Sequence, residues 1–150
     1  MRPRAYLGSL SAALLLVGMG TAQAMMPPWV YEEARAEAPY HVQVAIEGVK
    51  VPAKTPGNCE VSGKVVRIFR DTADKLAEDA RITFPIACIR SDAEVFPGPA
   101  IWTDVKDLVD ASFIEVYLVD DENGFDTAKW QSLIIKAPSP EPQLPVKEKE

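Results

Sequence analysis

The chain has 150 residues, of which 47% are hydrophobic, and a formal charge of -6. That length suits a single domain able to bury its own core, with no metal required to fold it. The acidic balance argues against nucleic acid or another polyanion as a general partner.

The first residues read as an export signal rather than as part of the fold. Arg2 and Arg4 form a basic start, Tyr6 to Met19 carries no charge, and the apolar centre spans Ala12 to Val17. Gly20-Thr21-Ala22-Gln23-Ala24 places small residues where a signal peptidase reads them, so residues 1–24 are expected to be removed before Met25. The apolar stretch is short for a membrane span, and no second one follows, so the processed chain is expected to be soluble in a periplasmic or extracellular compartment. Processing leaves 14 basic residues against 22 acidic ones, a net charge of -8.

Residues 25–39 follow, where Pro27-Pro28 leads into a stretch of helix formers with acids in its opening turn and a stop at Pro39. Residues 40–137 read as the β domain. Val42, Val44 and Ile46 alternate with His41, Gln43 and Glu47 in a first strand, ended by Gly48 and Pro52. Cys59 to Arg70 is a long second strand with Gly63 at a bulge or tight bend. Ile82, Phe84, Ile86 and Cys88 alternate through a third strand, in which Pro85 cannot donate to a ladder and so marks an unpaired side.

Pro97-Gly98-Pro99 centres a loop, and Thr103 is placed to cap a short helix through Val109. Phe113 to Val119 is a fourth strand, Asn123-Gly124 signals a hairpin with left-handed turn residues, and Lys129 to Lys136 is a fifth strand. Residues 138–150 hold Pro138, Pro140, Pro142 and Pro145 and a charged end, the composition of an extended, disordered tail. Three strands, a short helix and a two-strand hairpin match the order of a mainly β, five-stranded OB-like Greek-key barrel, here with an added N-terminal helix.

Cys59 and Cys88 are the only cysteines, and an even pair in an exported chain reads as a disulfide. They lie at the same end of an antiparallel second and third strand.

Candidate chemistry is sparse. His41 is the sole histidine, which excludes a multi-histidine zinc site, and its alternation points it outward from the core. Asp120-Asp121-Glu122-Asn123-Gly124 fails as a calcium loop, because aligning its glycine puts Val119 at the first ligand position and Trp130 at the last. No metal or cofactor is implied, and no linear catalytic motif is present. Lys64, Arg67 and Arg70 on the second strand, with Arg81 and Arg90 flanking the third, form a candidate basic binding face for an acidic partner. The same residues also serve as the polar side of half-exposed strands.

The runs Cys59 to Val65, Ile82 to Phe84 and Phe113 to Leu118 resemble the OB-fold modules of the netrin and metalloproteinase-inhibitor type, and small exported proteins of Gram-negative bacteria. That resemblance implies an OB-fold β-barrel. In the inhibitors a cysteine at the mature N-terminus approaches the protease metal; here Met25 stands at that end, so no functional residue carries over.

The expectation is a non-enzymatic binding module of the cell envelope, with an envelope protein or a glycan as partner. Two alternatives stay open: an inhibitor of an extracytoplasmic hydrolase, and a small hydrolase using Asp92, Glu94 or Asp104 around the Pro97-Gly98-Pro99 loop.

Overall fold

A computed structural model describes residues 26–147 apart from Phe96. The expected leader over residues 1–24, the expected cleavage before Met25 and residues 148–150 lie outside the described residues.

Helix α1 (Pro28–Glu37) opens with proline at N1 or N2, where a missing N–H costs nothing. It starts early enough that Glu32 and Glu33 fall past its first turn, not in it as the sequence suggested. Six strands follow: β1 (Tyr40–Lys50), β2 (Gly57–Asp71), β3 (Arg81–Ile89), β4 (Thr103–Asp104), β5 (Phe113–Asp121) and β6 (Gly124–Ile135). Helix α2 (Val105–Asp110) lies between β4 and β5.

They form one sheet in the order β4-β3-β2-β1-β5-β6. The sheet curls so that β6 returns to β3, where the Thr127 hydroxyl donates to the Pro85 carbonyl at 2.7 Å. A half-barrel results. Its concave face holds Val42, Val44, Val61, Phe84, Ile114 and Leu118, all nearly inaccessible, with Leu108 of α2 closing one end.

Five of the strands were legible in the sequence; the sixth, β4, was not. It pairs parallel with Cys88 and Ile89 through only two residues, too few for any periodicity to register. Beyond those two residues the outer side of β3 has no strand partner among the described residues, which is where Pro85 sits.

Two local signals resolve differently from expectation. Asp104, not Thr103, caps α2, its carboxylate accepting from the backbone N–H of Lys106 at 2.8 Å and Asp107 at 3.3 Å. The hairpin turns on Glu122-Asn123, between paired Asp121 and Gly124, and only Gly124 takes a positive φ, of 138°.

Gly63 sits where β2 bends against β1, opposite Ile46 and next to a register shift. A Cβ there would stand 2.3 Å from the Ala45 carbonyl oxygen and 2.6 Å from a Val44 methyl. Backbone cannot yield that much. Gly63→Ala is expected to cost about 2 kcal/mol through overpacking, read as a shift in the urea midpoint; an unchanged midpoint would show that the two strands can part there.

The disulfide expectation holds: Cys59 and Cys88 are bonded, with Cα atoms 5.8 Å apart, across the β2–β3 pair. No helix among the described residues is long and apolar enough to cross a membrane.

The C-terminal segment departs furthest from its reading as a free tail. Residues 138–147 form no helix or strand and bend repeatedly, and they lie across the outer face of β1 and β5 as a strap. Leu144 and Val146 pack on a second small core of Ala38, Tyr117 and Ala128. The prolines make the segment unable to form a core alone; a ready-made face supplies one.

Candidate functional sites

The five basic residues of the second and third strands do not form one free surface. Arg70 donates to the carbonyls of Arg35, Ala36 and Ala38 at 2.7, 3.3 and 2.7 Å, satisfying the open carbonyls at the end of α1. Arg90 donates to the Pro52 carbonyl at 3.0 Å. Arg81 makes an exposed ion pair with Glu47 at 3.0 Å, an arrangement worth little in stability. Lys64 stands across from Arg81 in the ladder, and Arg67 stands across from Gln43 with its Nε buried and unpartnered among the described residues. Asp104 is spent in the α2 cap, while Asp92 and Glu94 are exposed on their loop.

Two other places concentrate polar chemistry. The first lies on the outer face of the sheet. His41 projects outward as its alternation required, yet it is only 3% exposed, because α1 and the strap roof that face. Its Nε2 stands 2.7 Å from Glu115 Oε1, its ring stacks on Tyr117 with centroids 3.8 Å apart, and Phe69 packs at 4.8 Å. Since an ionised carboxylate only accepts, Nε2 carries the proton.

Glu115 collects three more bonds: from Gln43 Nε2 at 2.8 Å and from the backbone N–H groups of Gln143 and Leu144 at 2.9 Å each. Burial alone would raise its pKa, but the bonds from His41, Gln43, Gln143 and Leu144 outweigh burial and hold it below the ordinary glutamate value.

Tyr117 lies beside it. Burial, then the Glu115 charge, pushes its hydroxyl up to about 12 against the pull of Arg35 and Arg70. An unfolded tyrosine ionises near 10, so the raised folded value means stability is lost as pH climbs above about 10. Ultraviolet titration should find a tyrosinate forming near pH 12, and Tyr117→Phe should abolish that step.

The second place is the seam where β6 approaches β3. Ladder pairing between β5 and β6 breaks there: Val116 faces Ser132 and Leu118 faces Thr127, so one residue on β5 opposes four on β6. Within that bulge Lys129 and Trp130 take consecutive left-handed conformations, φ 38° and 61°. Neither is glycine, and such positions cost of order 1–3 kcal/mol each. The bulge is held from behind: Gln131 Nε2 donates to the Lys129 carbonyl at 2.9 Å, and Arg35 Nη1 donates to Gln131 Oε1.

In front of it opens a cleft of 290 Å³, walled by Asn58, Thr103, Asp126, Lys129, Trp130 and Ser132. A neighbouring hollow of 300 Å³ continues past Pro85 toward Asn123 and Phe125. Among the described residues no group of three or more histidine, cysteine or carboxylate side chains is set to hold a metal.

Neither place was named in the sequence reading. Alternation did put His41, Gln43, Glu115 and Tyr117 on one side of their strands, and a histidine, an amide and a carboxylate there are complementary. What brings them together is register: Gln43 faces Glu115 and His41 faces Tyr117 across β1 and β5. The seam bulge has no sequence signal, since lysine and tryptophan are not residues that favour positive φ.

Comparison of the chain with known protein families and with curated proteins finds no match.

Proposed function

We propose that this protein is an exported, non-enzymatic binding module of the cell envelope, an OB-like barrel that receives part of an envelope protein or glycan in the seam cleft. Export is supported by the leader-like start and by a buried disulfide, the bond of an oxidising compartment. The OB-like reading is supported by strand order: setting aside two-residue β4, the sheet runs β3-β2-β1-β5-β6 and returns to β3.

One observation carries the choice of site. Two adjacent non-glycine residues are kept in a costly backbone conformation in the wall of a cleft, and strain of that kind persists where it serves recognition or chemistry. The cleft's volume of 290 Å³ suits a side chain or a sugar ring, and recognition there is by insertion. Its walls offer Lys129 and Asp126, one charge of each sign, with an indole and several hydrogen-bonding groups between them.

The test joins stability to capture. Lys129→Gly relieves the positive φ and is expected to stabilise the fold by about 1 kcal/mol. The same variant, and Trp130→Ala, should lose most of the partner recovered by crosslinking the processed chain in its native envelope followed by mass spectrometry. Recovery at the wild-type level from both variants would remove the seam as the binding site; no specific recovery from the wild type would overturn the module reading itself.

A further inference from the structure

We propose that the groove on the outer face of the sheet is a recognition site for a proline-rich segment, and that the C-terminal segment of one copy seats in the groove of a second copy as it does in its own. The inference rests on the strap and its floor, and not on the seam cleft.

The strap is bound the way a peptide ligand is bound. It joins no ladder of the sheet; its backbone is read by side chains. The Ser139 N–H donates to Gln43 Oε1 at 2.8 Å, and the Gln143 and Leu144 N–H groups donate to the two oxygens of Glu115 at 2.9 Å each. In return the Tyr117 hydroxyl donates to the Leu144 carbonyl at 2.6 Å, and Arg35 donates to the Val146 carbonyl through Nη2 at 3.1 Å and Nε at 3.3 Å. Leu144 and Val146 supply the apolar anchors.

Receptor and ligand are separable. Every reading group belongs to α1, β1 or β5, and the joint to β6 runs through exposed Lys136, Ala137 and Pro138. The strap also holds its own shape, since Gln143 Nε2 donates to the Ala137 carbonyl at 2.9 Å and the Ser139 hydroxyl donates to the Glu141 carbonyl at 2.7 Å. Its four prolines narrow the backbone conformations open to it before it docks, which lowers the entropy lost on binding.

A second copy presents the same segment, so exchange preserves the bonds between strap and groove and needs only the joint to open. The tethered strap competes at an effective concentration of order millimolar. Trans seating therefore dominates at high protein concentration, or when a copy cannot use its own strap.

The probe is a fluorescent peptide of residues 137–150, titrated into full-length protein. The variant carrying Gln143→Pro and Leu144→Pro lacks both N–H groups that Glu115 reads, so its groove stands open. It should bind the peptide at least about tenfold more tightly than the wild type, whose own strap competes, and adding Glu115→Gln should remove that gain. Equal binding to all three proteins, or no binding to a double-proline variant whose near-ultraviolet circular dichroism is native, would overturn the proposal. Should that variant fail to fold, sedimentation of the wild type from about 10 μM to 1 mM decides instead: a dimer growing with concentration supports exchange, and a strict monomer overturns it.

Discussion

Replacing Cys59 and Cys88 together by alanine will lower folding stability by about 3–4 kcal/mol, the largest effect expected from any change outside the polar layer. The bond closes a loop of 29 residues in sequence separation. In the chain-entropy account, opening a loop of that length returns this much freedom to the unfolded chain. Its placement makes the loss hard to offset, because among the described residues β3 is laddered along its length only with β2, with β4 at two residues and β6 touching it across the seam. Both sulfurs are fully buried, so the substitution also removes packed atoms. Urea unfolding of the wild type with and without a reductant isolates the crosslink from the packing. A reductant effect below about 1 kcal/mol would mean that the unfolded chain is compact enough for the bond to matter little.

Much of this fold was legible in the sequence because its strands face water on one side and core on the other. Val42 and Val44, Ile82, Phe84 and Ile86, and Ile114, Val116 and Leu118 alternate cleanly, and each set lies in the concave core. What escaped was everything that depends on which residues meet. The outward positions were read as water-facing because alternation reports two faces of a strand and not what covers the second. Here α1 and the strap cover it, and His41, Gln43 and Glu115 are buried polar groups, not surface ones.

The strap escaped for a compositional reason. Four prolines and a charged end suggest disorder, and they outweigh the short apolar stretch Leu144-Pro145-Val146 that docks it. Partners of the basic residues were equally out of reach: Arg70 and Arg90 look free in a linear sequence, but an arginine near a helix end or a turn finds unpaired carbonyls.

Arg35 ties the two candidate sites into one construction. It is the buried residue of α1, and its guanidinium donates both to Gln131 behind the seam bulge and to the Val146 carbonyl of the strap. The strained wall of the cleft and the seated strap thus share one donor, so loss of strap order removes a constraint from the bulge as well.

Glu115→Ala is the sharpest test of that construction, with an expected cost of about 3–5 kcal/mol, the range for removing one partner of a buried pair. Four donors lose their acceptor at once: His41 Nε2, Gln43 Nε2 and the N–H groups of Gln143 and Leu144. The first two lose their acceptor in place on the sheet, while the last two leave with the strap. Hydrogen exchange should therefore show the Gln143 and Leu144 amides protected in the wild type and exchanging freely in the variant. Acid should reproduce the effect without a mutation. Glu115 titrates lower in the folded chain than in the unfolded one, whose ordinary value is 4.5, so its contribution is complete above that value. It is then lost as pH falls through the lower folded value, when the carboxyl takes a proton and can no longer accept all four bonds. Strap amides that stay protected through that acid range, or a Glu115→Ala chain as stable as the wild type, would show that the strap is held by Leu144 and Val146 alone.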